Sequence, residues 1–318
     1  MATATTATAE PSGSVRPPRD AYVGRFAPSP TGRLHLGSLT TALGSCLEAR
    51  VRGGRWLLRI EDLDTPRIRP GAADEMLRTL EALGFEWDGP VVYQSHRADA
   101  YAAALSQLRE QHRLYACGCS RRQLSGQALD ADTEGGYPGT CRTGTQSPPP
   151  WATRFRVRDD TLQVVHDGLR GEQCWCMREL GDPVVQRRDG LVAYQLAVVV
   201  DDAASGVTDV VRGADLLTST AWQRELQQAL DLPAPRVLHL PLVTAPDGGK
   251  LSKTAAAVPL DPARAGRWLI RAFATMRQNP PTALAKAGPR ELWQWAVSNW
   301  NSKTLIGLEQ LLPSDWEA

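Results

Sequence analysis

Apolar residues fall into short runs separated by helical-period segments, and the two periods alternate along the first third of the chain. Tyr22 to Phe26 reads as a short buried strand, and Leu36 to Val51 has the composition of a helix. Between them lies the turn cluster Pro28-Ser29-Pro30-Thr31-Gly32. Trp56 to Ile60 predicts a second strand, Ala72 to Leu83 a helix, Val91 to Tyr93 a third strand and Arg97 to Gln111 another helix. Strands that alternate with helices imply an α/β fold, a doubly wound parallel sheet covered on both faces. Leu191 to Asp201 reads as a buried strand re-entering that core, and Asp215 to Leu230 as a helix behind it. Beyond Asp261, Leu269, Ala272, Phe273 and Met276 recur at i, i+3, i+4 and i+7, the apolar face of a helix that docks on the main domain.

The pattern breaks from Tyr115 to Pro150 into Gly, Pro, Ser and Cys, closing on Ser147-Pro148-Pro149-Pro150, so a small inserted subdomain is expected there. Phe155 to Val157, Leu162 to His166 and Cys174 to Met177 read as its short antiparallel strands. The expected organisation is a solvated tail over 1–20, a main domain built from 21–113 and 190–255, an insert over 114–189, and a short helical C-terminal region over 256–318.

Composition narrows the class. A chain of 318 residues with 42% hydrophobic and 22% charged residues can bury a sizeable core. Thirty-six Lys and Arg against 35 Asp and Glu leave a net charge of +1, so a grip on nucleic acid must come from a local patch. The longest apolar stretch, Leu191 to Val200, is interrupted by Gln195 and falls short of the roughly 18–20 residues a membrane helix needs. The first 20 residues lack a signal-peptide core, and a cytoplasmic location is expected. Six cysteines, at 46, 117, 119, 141, 174 and 176, are too sparse for a disulfide scaffold.

Candidate chemistry begins at the first turn. Neither G-x-G-x-x-G nor G-x-x-x-x-G-K-[ST] occurs. In their place a strand ends at Arg25-Phe26, turns through Ala27 to Gly32, and opens a helix near His35 and Gly37. The unpaired N–H groups of a helix start receive an anion, and a glycine lets a phosphate and a flat base approach closely. Far along the chain, Lys250-Leu251-Ser252-Lys253-Thr254 follows a Gly-Gly, and its two ammonium groups suit a triphosphate.

These two segments, in this order, resemble the class I aminoacyl-tRNA synthetases. His35-Leu36-Gly37-Ser38 stands in the place of their HIGH motif and Lys250 to Thr254 in the place of KMSKS, both departing from the named motifs in detail. Arg25 to Gly32 and Arg59-Ile60-Glu61-Asp62-Leu63-Asp64 narrow the resemblance to the glutamate branch. It implies a Rossmann-like catalytic domain with His35 and Lys253 as catalytic residues, and ATP, carrying Mg²⁺, held by His35, Gly37, Lys250, Ser252 and Lys253. A glutamate substrate needs a cation for its side-chain carboxylate and an acceptor for its ammonium. The family's glutamate-binding positions fall here on Arg25, Phe26, Ala27, Pro28, Ser29, Glu61, Tyr194 and Arg212. Asp201 and Asp202 read as residues that end the strand and orient neighbours rather than as Mg²⁺ ligands.

The resemblance covers residues 21 to 260 and leaves about 60, too few for a further helical domain that reads the anticodon. The chain is therefore similar to the stand-alone paralogue family, the glutamyl-Q tRNA(Asp) synthetases. That similarity implies tRNA-independent activation of L-glutamate with ATP and transfer to the queuosine base in the anticodon of tRNA(Asp); a truncated glutamyl-tRNA synthetase charging the 3′ end of tRNA(Glu) and a catalytically inert zinc-bearing RNA-binding module stand as alternatives, and a monomer is expected. Cys117-Gly118-Cys119 and Cys141 supply three thiolates suited to one structural Zn²⁺. The paralogues place a tyrosine as fourth ligand, here Tyr137, while His112, Cys174 and Cys176 remain as competitors. Between Asp261 and Lys303 seven Lys or Arg against two Asp or Glu leave a local excess of +5, with Arg264, Arg267 and Arg271 at helical spacing; such a face reads first as solvated. The five tryptophans after residue 260 read as core.

Overall fold

A computed structural model describes residues 21–124, 136–245 and 258–313. The expected tail and the Lys250 to Thr254 segment lie outside these residues.

The first half of the main sheet is built from β1 (Val23–Phe26), β2 (Arg55–Ile60) and β3 (Val92–Tyr93), joined in parallel. The connections run through α1 (Leu36–Arg50) and α2 (Ala72–Ala82), and α3 (Ala98–Glu110) follows β3. The insert contributes β4 (Leu114–Cys117), α4 (Arg121–Leu124), β5 (Ala152–Phe155), β6 (Leu162–Asp167), β7 (Gly171–Cys176), α5 (Met177–Leu180) and β8 (Val184–Gln186). The chain then returns through α6 (Tyr194–Ala204), β9 (Asp209–Gly213), α7 (Ser219–Ala229), β10 (Arg236–Leu240) and β11 (Leu242–Val243). It closes with α8 (Ala265–Thr275), α9 (Pro289–Asn299) and β12 (Gln310–Leu311).

β9 and β10 pair in parallel, and β10 pairs in parallel with β6. β1 runs beside β9: the Thr208 N–H donates to the Val23 carbonyl at 2.9 Å, and Arg25 Nη1 donates to the Val211 carbonyl at 3.4 Å. The spatial order is therefore β3-β2-β1-β9-β10-β6-β7. The chain leaves β1 toward β2 on one side and β9 toward β10 on the other. In an open α/β sheet that divergence opens a crevice at the carboxyl ends of the two strands, where ligands bind. Arg25 and Arg212 sit near those two ends.

Three differences from the sequence reading concern this region. Leu191 to Asp201 is not a strand: Tyr194–Ala204 is a helix, buried from Gln195 to Asp202, so Tyr194 starts a helix. A helix covered on all sides shows no polar stripe, and a continuous apolar run cannot separate it from a buried strand. β10 escaped the sequence reading because Arg236-Val-Leu-His-Leu240 carries a buried His239 that resembles a surface position. The β6–β7 hairpin, expected to stay within the insert, adds to the edge of the main sheet through Asp167 and Val237, while β4, β5 and β8 form a separate antiparallel sheet.

The C-terminal helices close one side of the core. Leu269, Ala272, Phe273 and Met276 are fully buried with Leu43, Leu47 and Leu80 of the main domain. Trp268, Trp293, Trp295 and Trp300 pack against the same core; the Trp293 indole donates to the Leu83 carbonyl and that of Trp300 to Glu48 Oε1. Each fully buried apolar side chain contributes about 1.5–3 kcal/mol, so this region is part of the domain's own core. β12 pairs with β11, which leads into the segment carrying Lys250 and Lys253.

Candidate active site and metal centre

Arg25, buried on β1, donates through Nε to Asp202 Oδ1 and Oδ2 at 3.2 and 3.3 Å. Arg59, on β2, reaches the same Asp202 Oδ1 at 2.6 Å and Glu61 Oε1 at 3.2 Å. Two guanidiniums and two carboxylates thus offset each other in a dry patch, as buried charge requires. Burial opposes ionisation of Asp202, but Arg25 and Arg59 outweigh it and hold its pKa below the ordinary value. Glu61 goes the other way: burial raises its carboxyl despite Arg59 and Arg25. Asp202 and Asp201 therefore do not end a strand. They project from α6, and Asp201 is held by Arg97, Gln94 and Tyr101, so both are committed to protein partners.

Arg212, equally buried on β9, is held differently. Its Nε donates to His239 Nε2 at 3.0 Å and Nη1 to the Tyr194 hydroxyl at 3.1 Å. Nη2 donates to the Leu216 carbonyl at 3.2 Å and to Thr220 Oγ1 at 2.8 Å. Every one of these acceptors is neutral. Among the described residues no carboxylate lies within ion-pair distance of this guanidinium. Burial pushes the His239 pKa down to about 4, against the pull of Asp167, so its ring is neutral near pH 7. Burial also raises the Tyr194 phenol, which stays protonated. Arg212 reaches that phenol directly, and the charges of Glu61, Arg25 and Asp202 act on it as well.

The other expected positions divide. Phe26 faces the core and stacks on Trp56 with ring centroids 6.3 Å apart. Ala27 and Pro28 are half-buried and Ser29 is exposed along the loop leaving β1, braced by the Glu61 N–H on the Pro28 carbonyl at 3.0 Å. His35 is the N-cap of α1: its Nδ1 accepts from the Ser38 N–H at 3.3 Å, while Ser38 Oγ accepts from the His35 N–H at 2.8 Å. An accepting Nδ1 places the ring proton on Nε2, a donor. Gly37 sits close beside it, since a Cβ there would lie 3.2 Å from the His35 ring and crowd it. Lys250, Ser252 and Lys253 lie outside the described residues, but both flanks of their segment meet this helix start. The Leu260 N–H donates to the Leu34 carbonyl at 2.9 Å, Pro259 bridges His35, and Val243 approaches Gly37. The sequence reading named neither His239, Asp167 nor Thr220, and gave Arg59 no role.

In the insert, Cys117, Cys119 and Cys141 place their sulfurs within 4.8 Å of one another. The Tyr137 oxygen lies 3.5 Å from Cys117 Sγ and 4.0 Å from Cys119 Sγ, and accepts from the Cys141 N–H at 2.9 Å. Metal–sulfur bonds of about 2.3 Å put tetrahedral corners about 3.8 Å apart, and the 3.5 Å between Cys119 and Cys141 Sγ fits that spacing. His112, Cys174 and Cys176 stand outside this cluster. Burial opposes ionising Cys141, yet hydrogen bonds from Tyr137, the Gly118 backbone and Cys119 bring it to about 7; burial pushes Cys119 up to about 11. Arg154 donates to Cys117 Sγ at 3.2 Å and lies 3.7 Å over the Tyr137 ring, a cation placed against an anionic ligand set. Gly181 is needed here: it has φ +68°, and a Cβ would meet the Tyr137 carbonyl at 2.2 Å.

A family model for the catalytic domain of class I tRNA synthetases (E and Q) matches residues 22–279. The chain is 53% identical over 283 residues, 89% of its length and 94% of the relative's, to a glutamyl-Q tRNA(Asp) synthetase of Ectopseudomonas mendocina. It is equally identical, over 88% of its length and 94% of the relative's, to the protein of that name from Chromobacterium violaceum. Its fold is similar to the glutamate tRNA ligase of Elizabethkingia meningosepticum, solved in complex with its amino acid, with a TM-score of 0.74 and 26% identity over 93% of this chain and 67% of that one. The chain thus belongs to the class I tRNA synthetases, in the glutamyl-Q tRNA(Asp) synthetase family.

Proposed function

We propose that this enzyme condenses L-glutamate with ATP to glutamyl-adenylate and transfers the glutamyl group to the queuosine base in the anticodon of tRNA(Asp). The observation that carries the reading is Arg212: a buried cation whose partners among the described residues are all neutral, at the crevice where an α/β sheet binds its ligand. The side-chain carboxylate of glutamate supplies the missing negative charge. Glu61 receives the ammonium, Tyr194 adds a hydroxyl, and Arg25 with the Ala27 to Ser29 backbone lines the wall.

The α-carboxylate then attacks the α-phosphorus of ATP and pyrophosphate departs. No protein nucleophile takes part, so the residues align the reactants and place positive charge where the transition state gains negative charge. His35 Nε2–H, Gly37 and the start of α1 serve the phosphates from one side. Lys250, Ser252 and Lys253 serve them from the other, and Mg²⁺ arrives with the nucleotide. A hydroxyl of the queuosine cyclopentene ring then attacks the activated carbonyl, forming an ester as the mixed anhydride breaks and AMP and the hydroxyl proton leave. The cysteine cluster fits a single Zn²⁺ held by Cys117, Cys119, Cys141 and Tyr137, which would fasten an insert too small to fold on its own apolar core. Among the described residues no helix is long and apolar enough to cross a membrane, in keeping with work in the cytoplasm.

The test is to incubate the protein with ATP, labelled glutamate and tRNA(Asp) with or without queuosine, then map the label. It is expected on the modified base, and only when queuosine is present; label on the 3′-terminal adenosine would overturn the reading.

A further inference from the structure

Arg212 raises a question that substrate binding alone does not answer: what keeps a buried guanidinium oriented without neutralising it? Three neighbouring strands, β6, β10 and β9, supply the answer. Asp167 ends β6, His239 lies on β10, and Arg212 is the register partner of His239 on β9. Asp167 Oδ2 accepts from His239 Nδ1 at 2.7 Å, and His239 Nε2 accepts from Arg212 Nε at 3.0 Å. An imidazole that accepts from Arg212 must carry its single proton on Nδ1, and that proton goes to Asp167. Thr220 Oγ1, 3.3 Å from the same Nε2 and 2.8 Å from Arg212 Nη2, closes the triangle.

We infer that Asp167 and His239 are positioning residues for glutamate recognition: Asp167 fixes the tautomer of His239, and His239 aims Arg212 while holding a carboxylate one ring away from it. A carboxylate placed directly on Arg212 would fix the fork equally well and also cancel the charge that the substrate is meant to find. The imidazole passes on orientation without that cancellation. The inference rests on the reading that Arg212 receives the substrate's side-chain carboxylate.

Asp167 is oriented by the turn that follows β6 as well as by the His239 backbone, whose N–H reaches Asp167 Oδ1 at 3.3 Å and Oδ2 at 3.1 Å. Its Oδ1 accepts from the backbone N–H groups of Leu169 and Arg170, both at 2.9 Å, so an asparagine there keeps its oxygen on the turn and presents its amide nitrogen to His239 Nδ1. In Asp167→Asn the imidazole then accepts at Nδ1 and carries its proton on Nε2, pointing N–H at N–H toward Arg212. Breaking a bond to a charged group in this way should weaken glutamate binding about 10- to 100-fold.

The experiment combines two readouts on the full chain. Nitrogen NMR of histidine-labelled protein locates the His239 proton, and calorimetry gives the Kd for L-glutamate, with the KM for ATP in ATP–pyrophosphate exchange as control. Asp167→Asn is expected to move the proton to Nε2 and raise the glutamate Kd while leaving the ATP KM unchanged. A moved proton with an unchanged Kd overturns the inference, as does a raised Kd with the proton still on Nδ1. Should that variant not fold, His239→Gln, whose carbonyl can still accept from Arg212, is expected to hold the Kd within about threefold, whereas His239→Leu loses about tenfold or more; equal values would overturn the relay. Arg212→Ala separates the two claims. An unchanged Kd there removes the underlying reading, whereas a raised Kd there beside a normal Kd for Asp167→Asn removes the relay alone.

Discussion

Two arginines face one crevice from adjacent strands, and the protein treats them in opposite ways. Arg25 is bound by Asp202, which it shares with Arg59, and the charges on that side sum to nothing. Arg212 has only a neutral imidazole, two hydroxyls and a carbonyl among the described residues. Burying an ion costs several kcal/mol. The β1 side meets that cost within the fold; on the β9 side, in the function proposed above, the substrate's carboxylate meets it. Arginine identity alone therefore does not mark a recognition residue; the absence of a carboxylate beside a buried one does.

The comparison can be broken most sharply by making Arg212 resemble Arg25. Thr220 Oγ1 sits 2.8 Å from Arg212 Nη2 at the start of α7. Thr220→Asp brings an internal counter-ion to a helix N-terminus, where an acid is favoured. Glutamate Kd should rise about 100-fold, measured by calorimetry, while the urea midpoint does not fall. Unchanged glutamate binding in a folded Thr220→Asp protein would show that Arg212's charge is not what the ligand meets.

A smaller effect sharpens the other side. Burial raises Glu61's folded pKa above its ordinary value of 4.5. A carboxyl with a raised folded pKa is easier to protonate when folded, so its ionised form costs stability at neutral pH until an ammonium pairs with it. The form that holds that ammonium is lost as pH falls through the raised value. The KM for glutamate in exchange assays should thus begin to climb on acidification above the ordinary carboxylate range, before the substrate's own carboxylates protonate. Glu61→Gln should give a higher but flatter KM over that limb; an identical limb in the variant would assign it to another group.

How much of this was legible beforehand follows from what periodicity encodes. β1, α1, β2, α2 and α3 were readable because each shows one period with polar turn residues between, and the C-terminal face at Leu269, Ala272, Phe273 and Met276 because it is one-sided. The pair formed by the His35-Leu36-Gly37-Ser38 turn and the distant Lys250 to Thr254 segment carried the functional class through resemblance. α6 was misread because full burial erases the period that distinguishes a helix. His239 and Asp167 were invisible for a related reason: a buried polar residue in a strand looks like a solvent-facing position, and only the fold shows that His239 meets an arginine on the adjacent strand and Asp167 meets His239. Tyr194, expected on a strand, starts a helix instead, with its hydroxyl on Arg212.

The central claim is that Arg212 meets the side-chain carboxylate of glutamate. A crystal structure of the protein with L-glutamate tests it most directly. The account predicts a carboxylate oxygen about 2.7–2.9 Å from Arg212 Nη1, with the Arg25–Asp202 pair and the Arg212–His239 bond both intact. Glutamate bound with that carboxylate on Arg25 alone, Asp202 displaced and Arg212 untouched, would contradict it.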